Sequence, residues 1–290
     1  MQPDLAPRGF GRIFDRAFEV YRANLRTIAS CALIVLLPMA MLVGVTQVFS
    51  TRGLLELFGT LASDPGDVDA FFGEYARIQR LSMLSNAVAP LFLMARTYLV
   101  SSLLAVAPAM LAGQRPGVRE TLKAGRTRFL WLLLVTVAVN FATGAGFVVF
   151  LVPGLVLWAR LSVARVVSVV EAAPLDRAFA RSWSLTRGRF WRTVGFAVVL
   201  GALALVVEAA IDSPAVIRQI VASVNDPDAI FAALSPGWQT FEGVLAALST
   251  SLIAPFVELS WFSYYLDLRA RGEGLDLVAS ARSRAPEHTP

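Results

Sequence analysis

Apolar positions along this chain gather into long uninterrupted runs, where a soluble protein would show period-2 or period-3.6 alternation with charge. Several runs approach the ~20 residues that a helix needs to cross a bilayer. They predict an all-α, polytopic helical membrane bundle of about six transmembrane helices, over 27–49, 85–112, 129–146, 147–168, 191–211 and 243–266. The third and fourth share one apolar stretch interrupted by "FATGAG". The glycines predict a tight hairpin at Thr143–Gly146; a single span followed by a re-entrant segment is the alternative. The first run is too long for the ~7–15-residue core of a signal peptide and reads as a retained span.

Between the runs the pattern changes to helical amphipathicity. In "FGRIFDRAFEVYRANLR", Phe10, Phe14, Ala17, Phe18, Tyr21 and Leu25 share one face, while Arg12, Asp15, Arg16, Arg22 and Arg26 project elsewhere. That is an interfacial helix leading into the first span. "DRAF" occurs at Asp15–Phe18 and again at Asp176–Phe179, and "VRETLKAGRTRF" (Val118–Phe129) is a looser copy before the third span. Two readings stand: three repeats of an interfacial helix plus a two-span hairpin, or independent solutions to the common need of crossing a headgroup layer. The intervening loops also carry helical patterns, at Gly53–Leu61, Asp69–Leu84 and Ser213–Val224. One integral-membrane domain is expected over 1–277, with a disordered tail over 278–290.

Composition agrees: 56% of the 290 residues are hydrophobic and 16% charged, against about 25% charged in soluble domains. Charge also sets the orientation. Of 26 Lys and Arg, 21 fall in segments 1–26, 113–128, 160–192 and 267–290, four fall in the alternate loops, and Arg96 lies within the second span. By the positive-inside rule both termini are cytoplasmic, which requires an even number of spans. In "ARSWSLTRGRFWRTVGF", Arg187, Arg189, Phe190, Trp191 and Arg192 stand where a cytoplasmic segment meets the fifth span. They are expected to be interfacial anchors facing anionic headgroups. Nucleic-acid binding is not expected, because the rings adjoin a bilayer-crossing run and are not free to stack on bases.

Candidate chemistry is sparse. The single cysteine, Cys31, and single histidine, His288, exclude a zinc site built from those residues. No P-loop, G-x-S-x-G or H-E-x-x-H motif occurs. No cofactor and no catalytic or metal residue is expected. The acids Asp15, Glu19, Glu171 and Asp176 sit among arginines and read as salt-bridge partners. Deep in the apolar runs lie Arg96 and Glu258, on spans of the same direction with an offset of roughly 8 Å along the helix axis. They are expected to pair across the membrane. An intramembrane pair of this kind serves either as a structural clasp or as part of a solute or proton path. Pro38, Pro90, Pro108, Pro153 and Pro255 interrupt the runs, read as tolerated kinks since paired polar residues do not stand beside each break.

Four stretches together resemble a known family: "PRGFGRIFDRAFEVYRANLR" (Pro7–Arg26), "VPGLVLWARLSVARVVSVVE" (Val152–Glu171), "AFARSWSLTRGRFWRTVGF" (Ala178–Phe196) and "YLDLRARGEGLDL" (Tyr265–Leu277). The chain is similar to the membrane-domain family of bacterial glycerophosphoryl diester phosphodiesterase. It departs from the family pattern at Arg12, where members often carry an acid, and at Leu266, where a second tyrosine is usual. The resemblance implies six spans and the membrane part alone. The phosphodiesterase chemistry belongs to a separate soluble barrel with metal-binding carboxylates and histidines, for which this chain has no room and lacks the set of histidines.

The last stretch, with Asp267, Arg269, Arg271, Glu273 and Asp276, is a candidate cytoplasmic docking motif for a protein partner. The resulting expectation is a non-catalytic multi-pass protein of the bacterial inner membrane. Its role would be that of a scaffold or accessory protein linked to lipid or envelope metabolism. The alternative is a transporter or lipid-handling protein with a polar mid-membrane cavity around Arg96 and Glu258.

Overall fold

The computed structural model describes residues 9–39, 41, 42, 59, 68–225 and 236–273. Their elements are α1 (Phe10–Ala23), α2 (Leu25–Met39), α3 (Val68–Leu111), α4 (Val118–Arg126), α5 (Phe129–Val149), α6 (Leu151–Leu161), α7 (Ala164–Val170), α8 (Leu175–Thr186), α9 (Phe190–Asn225) and α10 (Pro236–Glu273). No strand occurs among the described residues. Among the same residues, four segments are long and apolar enough to cross a membrane: Pro90–Leu111, Phe129–Val149, Leu151–Val170 and Phe190–Ile211. The pair α1–α2, bent by 78°, is a fifth if it counts as one span. The last expected span falls inside α10. The end of the first span, the helical pattern expected over 53–61 apart from Gly59, the tail after Glu273 and His288 lie outside the described residues.

The chain separates into two compact units, one of Met1–Cys31, Thr97–Ala204 and Ala254–Pro290, the other of Ala32–Arg96 and Leu205–Ile253. In the second unit two of the helical patterns expected for the outer loops are real. They continue long helices without a break: 69–84 belongs to α3 and 213–224 to α9, with Pro214 inside it. Local side-chain pairs support these extensions. Arg77 meets Glu74 at 3.3 Å, and the Arg218 guanidinium lies 3.7 Å from the Trp238 ring centroid, whose indole N–H donates to Glu242 at 2.6 Å.

The first unit is built around the inner half of α10. Every residue from Glu258 to Tyr265 is buried, so this stretch is covered on all faces. Phe196 of α9, fully buried, stacks on Phe14 of α1 at 5.1 Å and on Tyr264 of α10 at 4.2 Å, with Trp261 edge-on. These offset and edge contacts lock α1, α9 and α10 together. The buried face of α1 overlaps the expected one in part: Ala17 is buried and Phe10, Phe14 and Tyr21 are half-buried, but Ile13 joins them and Phe18 does not. Ile13 and Ala17 point inward, whereas Phe18 and Leu25 are exposed, because Phe10 and Phe14 reach Phe196 from the side of the helix.

The hairpin between the third and fourth spans also differs from expectation. α5 continues through Thr143–Gly146 to Val149, and the chain reverses at Phe150, which is extended (φ −165°, ψ 156°). Gly146 serves close approach instead of turning, while Gly144 has open space where a Cβ would stand. A Cβ on Gly154 would lie 2.4 Å from the Phe147 ring, and one on Gly146 would lie 2.9 Å from the Gly154 Cα. Small residues at a helix crossing let backbones meet where no hydrophobic drive separates protein from lipid. Phe141, Val148, Phe150 and Leu151 face outward, as lipid-facing positions do.

The short amphipathic helices α1, α4 and α8 precede α2, α5 and α9 respectively. Each is fixed by its inner face. On α4, the Tyr98 hydroxyl donates to the Leu122 carbonyl at 2.7 Å and the Ser101 hydroxyl to that of Gly125 at 2.9 Å. On α8, the Ser182 and Thr186 hydroxyls both reach the Arg160 carbonyl, at 2.7 and 3.3 Å. Ala17 and Ala178, the alanines of the two "DRAF" segments, are both fully buried.

Candidate functional site: an ion-pair clasp at the end of α10

The polar residues of the first unit converge where α10 ends. Helical spacing divides the C-terminal motif into two stripes. Tyr265, Arg269 and Glu273 follow one another at four-residue intervals and share a face; Tyr264, Asp267 and Arg271 occupy a second.

The first stripe meets the α7–α8 junction. The Tyr265 hydroxyl donates to Glu171 Oε1 at 2.5 Å, and Arg181 Nε donates to the same oxygen at 3.2 Å. Arg181 also binds Glu273, which receives a fork from Arg269 at 3.0 and 3.1 Å. Two carboxylates and two guanidinium groups thus close a neutral network. Burial by itself pushes the Glu273 carboxyl up, but the hydrogen bonds from Arg181 and Arg269 outweigh it and hold it below the ordinary glutamate range. Burial likewise disfavours the charged Arg181, and its bonds to Glu273 and Glu171 reverse the effect.

The second stripe meets the start of α9. Asp267, whose side chain is 1% exposed, accepts from Arg192 Nη2 at 2.8 Å and from Arg271 Nε at 2.9 Å. Arg189 donates to the carbonyls of Arg271 at 2.9 Å and Leu185 at 3.1 Å, neutralising helix-end acceptors that lack an intrahelical donor. Thr193 and Tyr264 share a buried hydrogen bond of 2.9 Å, and the Arg192 guanidinium lies 4.8 Å from the Phe10 ring centroid.

This geometry corrects three expectations. The five interfacial anchors divide by direction: Arg187 and Trp191 are outward, Trp191 at 78% exposure with Phe190 edge-on to it, whereas Arg189 and Arg192 point into the clasp. Neighbouring positions on a helix differ by about 100°, so one basic-aromatic run serves both lipid and protein. The candidate docking motif is occupied within the chain, since Asp267, Arg269, Arg271 and Glu273 all bind side chains of the same unit. Asp276 lies outside the described residues.

Glu258 finds a partner other than Arg96. Its carboxylate, 2% exposed, stands 3.4 Å from Arg165 Nη1. Arg165 and Glu171 meet Glu258 and Tyr265 in turn, so α7 and the inner part of α10 run side by side in the same direction. Arg96 is exposed and joins no ion pair among the described residues. Depth along an axis says nothing about azimuth, and Arg96 lies on an outward face of α3. The Arg165 contact is an ion pair without hydrogen-bond geometry, and neither Glu258 oxygen has a hydrogen-bond partner among the described residues.

Sequence reasoning counted Arg165 and Arg181 only as cytoplasmic charges. Nothing in the spacing singled out Arg165; for Arg181 the one signal was the four-residue stripe Tyr265, Arg269 and Glu273, whose two acceptor and donor ends call for a matching charged pair on a neighbouring helix. An open cleft of about 490 Å³ beside the clasp is lined by Glu171, Arg177, Arg181 and Ser184, with Ala172 in the left-handed region at φ 56°. No group of three or more His, Cys, Asp or Glu that could hold a metal occurs among the described residues. Compared with known proteins, the chain matches no family model, no curated protein and no solved structure.

Proposed function

We propose that this chain is a six-span protein of the bacterial inner membrane with both termini cytoplasmic, acting without catalysis as a membrane scaffold or accessory protein linked to lipid or envelope metabolism. The proposal includes membership of the glycerophosphoryl diester phosphodiesterase membrane-domain family, on the motifs quoted above. The observation that carries it is the use made of the carboxylates. Glu171, Asp267 and Glu273 are each held by arginines of the same chain. A general acid, base or nucleophile must instead meet the reacting group directly. These acids fasten α10 to α7–α8 and α9. The 21-to-four bias of basic residues and the outward Arg187 and Trp191 support contact with anionic headgroups on the cytoplasmic side.

One observation favours a second reading, that of a transporter or lipid-handling protein. Glu258 is buried with both oxygens lacking a hydrogen bond among the described residues, and buried intramembrane charges often line ion or proton paths. In that reading Arg165 takes the place expected of Arg96.

Glu258→Gln in proteoliposomes separates the two. The scaffold reading expects a lower melting temperature and an ion permeability equal to that of the wild type. Wild-type flux driven by a pH gradient that disappears in Glu258→Gln, with melting unchanged, overturns it in favour of transport.

A further inference from the structure

The short helix α4 carries its charge differently from α1 and α8. In α1 three arginines stand with Asp15 and Glu19, and in α8 Arg177 and Arg181 stand with Asp176, a net charge of +1 each, whereas in α4 three cations stand with Glu120 alone, a net +2. On α4, Arg119, Lys123 and Arg126 follow at intervals of four and three residues, all exposed, with Arg115 exposed just before the helix. None of the four joins an ion pair or hydrogen bond with another described residue, and Glu120 is the one acid in the segment. Like charges at this spacing repel along a helix, so the row holds a repulsion that a bound anion relieves.

The opposite face of α4 is fixed. Thr121 and Gly125 are buried, Tyr98 and Ser101 bond to the carbonyls of Leu122 and Gly125, and the Gly125 Cα hydrogens are all that fits against Ser102. The row is therefore presented on a rigid support, and little ordering is needed when a ligand binds. Immediately after it, α5 opens with Leu130 at 72% exposure and Trp131 half exposed. An apolar, outward face adjoining a basic row places the row at headgroup depth.

We propose that Arg119, Lys123 and Arg126 form a binding site for the phosphate of an anionic phospholipid such as phosphatidylglycerol. The site rests on the proposed cytoplasmic placement of residues 113–128 and names the position where anionic lipid is held most tightly. The adjoining hydrocarbon-facing residues favour a lipid over a nucleic acid, whose bases would find no free aromatic platform on α4.

The test is native mass spectrometry of the purified full chain in non-ionic detergent, titrated with phosphatidylglycerol or phosphatidylcholine. The wild type is expected to retain phosphatidylglycerol in preference. Arg119→Gln/Lys123→Gln/Arg126→Gln is expected to weaken that binding about fivefold per charge removed. Arg12→Gln/Arg22→Gln/Arg26→Gln is expected to leave the tightest site unchanged. All three α4 side chains are exposed and unpaired among the described residues, so melting in phosphatidylcholine should match the wild type and report intact folding.

Equal losses in both triple variants overturn the α4 site while leaving the general attraction of the basic face intact. A wild type that holds phosphatidylglycerol no better than phosphatidylcholine overturns both. Displacement of the lipid by a single-stranded oligonucleotide at matched charge concentration overturns the lipid assignment in favour of nucleic acid, and displacement by inorganic phosphate at similar concentration shows a free-phosphate site instead.

Discussion

If the α10 clasp fastens the first unit, its buried acid should cost more to remove than any exposed charge nearby. Asp267→Ala deletes two charge-assisted hydrogen bonds, from Arg192 at 2.8 Å and Arg271 at 2.9 Å. Bonds of this kind contribute about 1.5–3 kcal/mol each, and breaking a buried ion pair typically costs about 3–5 kcal/mol. The two arginines are 26% and 29% exposed and recover some hydration once released, which argues for the lower end, about 3 kcal/mol. At ~2–4 °C per kcal/mol for a chain of this size class, the melting temperature should fall by roughly 6–12 °C. Asp267→Asn keeps one acceptor oxygen and should lose about half as much.

The assay is intrinsic-fluorescence melting of the full chain in one detergent, extended to a cycle with Arg192→Met. Since Asp267 binds Arg192 directly, the double variant should lose less than the sum of the singles by more than the ~0.5 kcal/mol scatter of independent sites. An Asp267→Ala shift below about 2 °C, or strict additivity with Arg192→Met, would refute the clasp as a source of stability.

Two further outcomes follow from the same unit. Gly125→Ala would place a Cβ 2.0 Å from the Ser102 hydroxyl oxygen and 2.6 Å from its Cα; overpacking of this kind costs about 1–3 kcal/mol. Ser102→Gly should rescue little, because the backbone contact remains, and a variant that melts like the wild type would show that α4 is not seated on Ser102. Glu273 has its folded pKa held below the unfolded value of about 4.3, so its contribution is fully present above that pH and is lost as pH falls through the folded value. The stability gap between wild type and Glu273→Gln should therefore be flat from pH 7 to about 5 and shrink below about 4; a gap that widens on acidification contradicts the assignment.

What the residues disclosed before any coordinates, and what they withheld, divides along a physical line. Quantities that depend on composition over a window were readable: the all-helical character, the long apolar helices, the short amphipathic helices ahead of α2, α5 and α9. Quantities that depend on direction were not. Trp191 and Arg192 are adjacent in sequence, yet one faces outward and the other holds a buried aspartate, because about 100° separates them on α9. Phe18 has the hydrophobicity of a core residue but stands exposed, since Phe10 and Phe14 already reach Phe196. The glycines near Thr143 carried a turn signal, but inside an apolar helix the missing Cβ of Gly146 serves contact with Gly154 and Leu157.

The charged motif at the end of α10 makes the same point about function. A run of alternating acids and arginines invites reading as a surface for another protein, because exposed charge is the default for such residues. Its spacing argued otherwise. Residues 265, 269 and 273 share a stripe, and residues 264, 267 and 271 share a second, so each stripe needed only one matching set of groups to become internal. Glu171 with Arg181 supplies the first set, and Arg192 with Thr193 supplies the second. Arg12 and Arg22 on α1 and Arg177 on α8 are also exposed without a described ion-pair partner, but among the described short helices it is on α4 that three such cations follow at intervals of four and three residues and share one exposed face. Charge that the chain neutralises for itself builds the fold, and the row it leaves open is where an outside anion has something to gain.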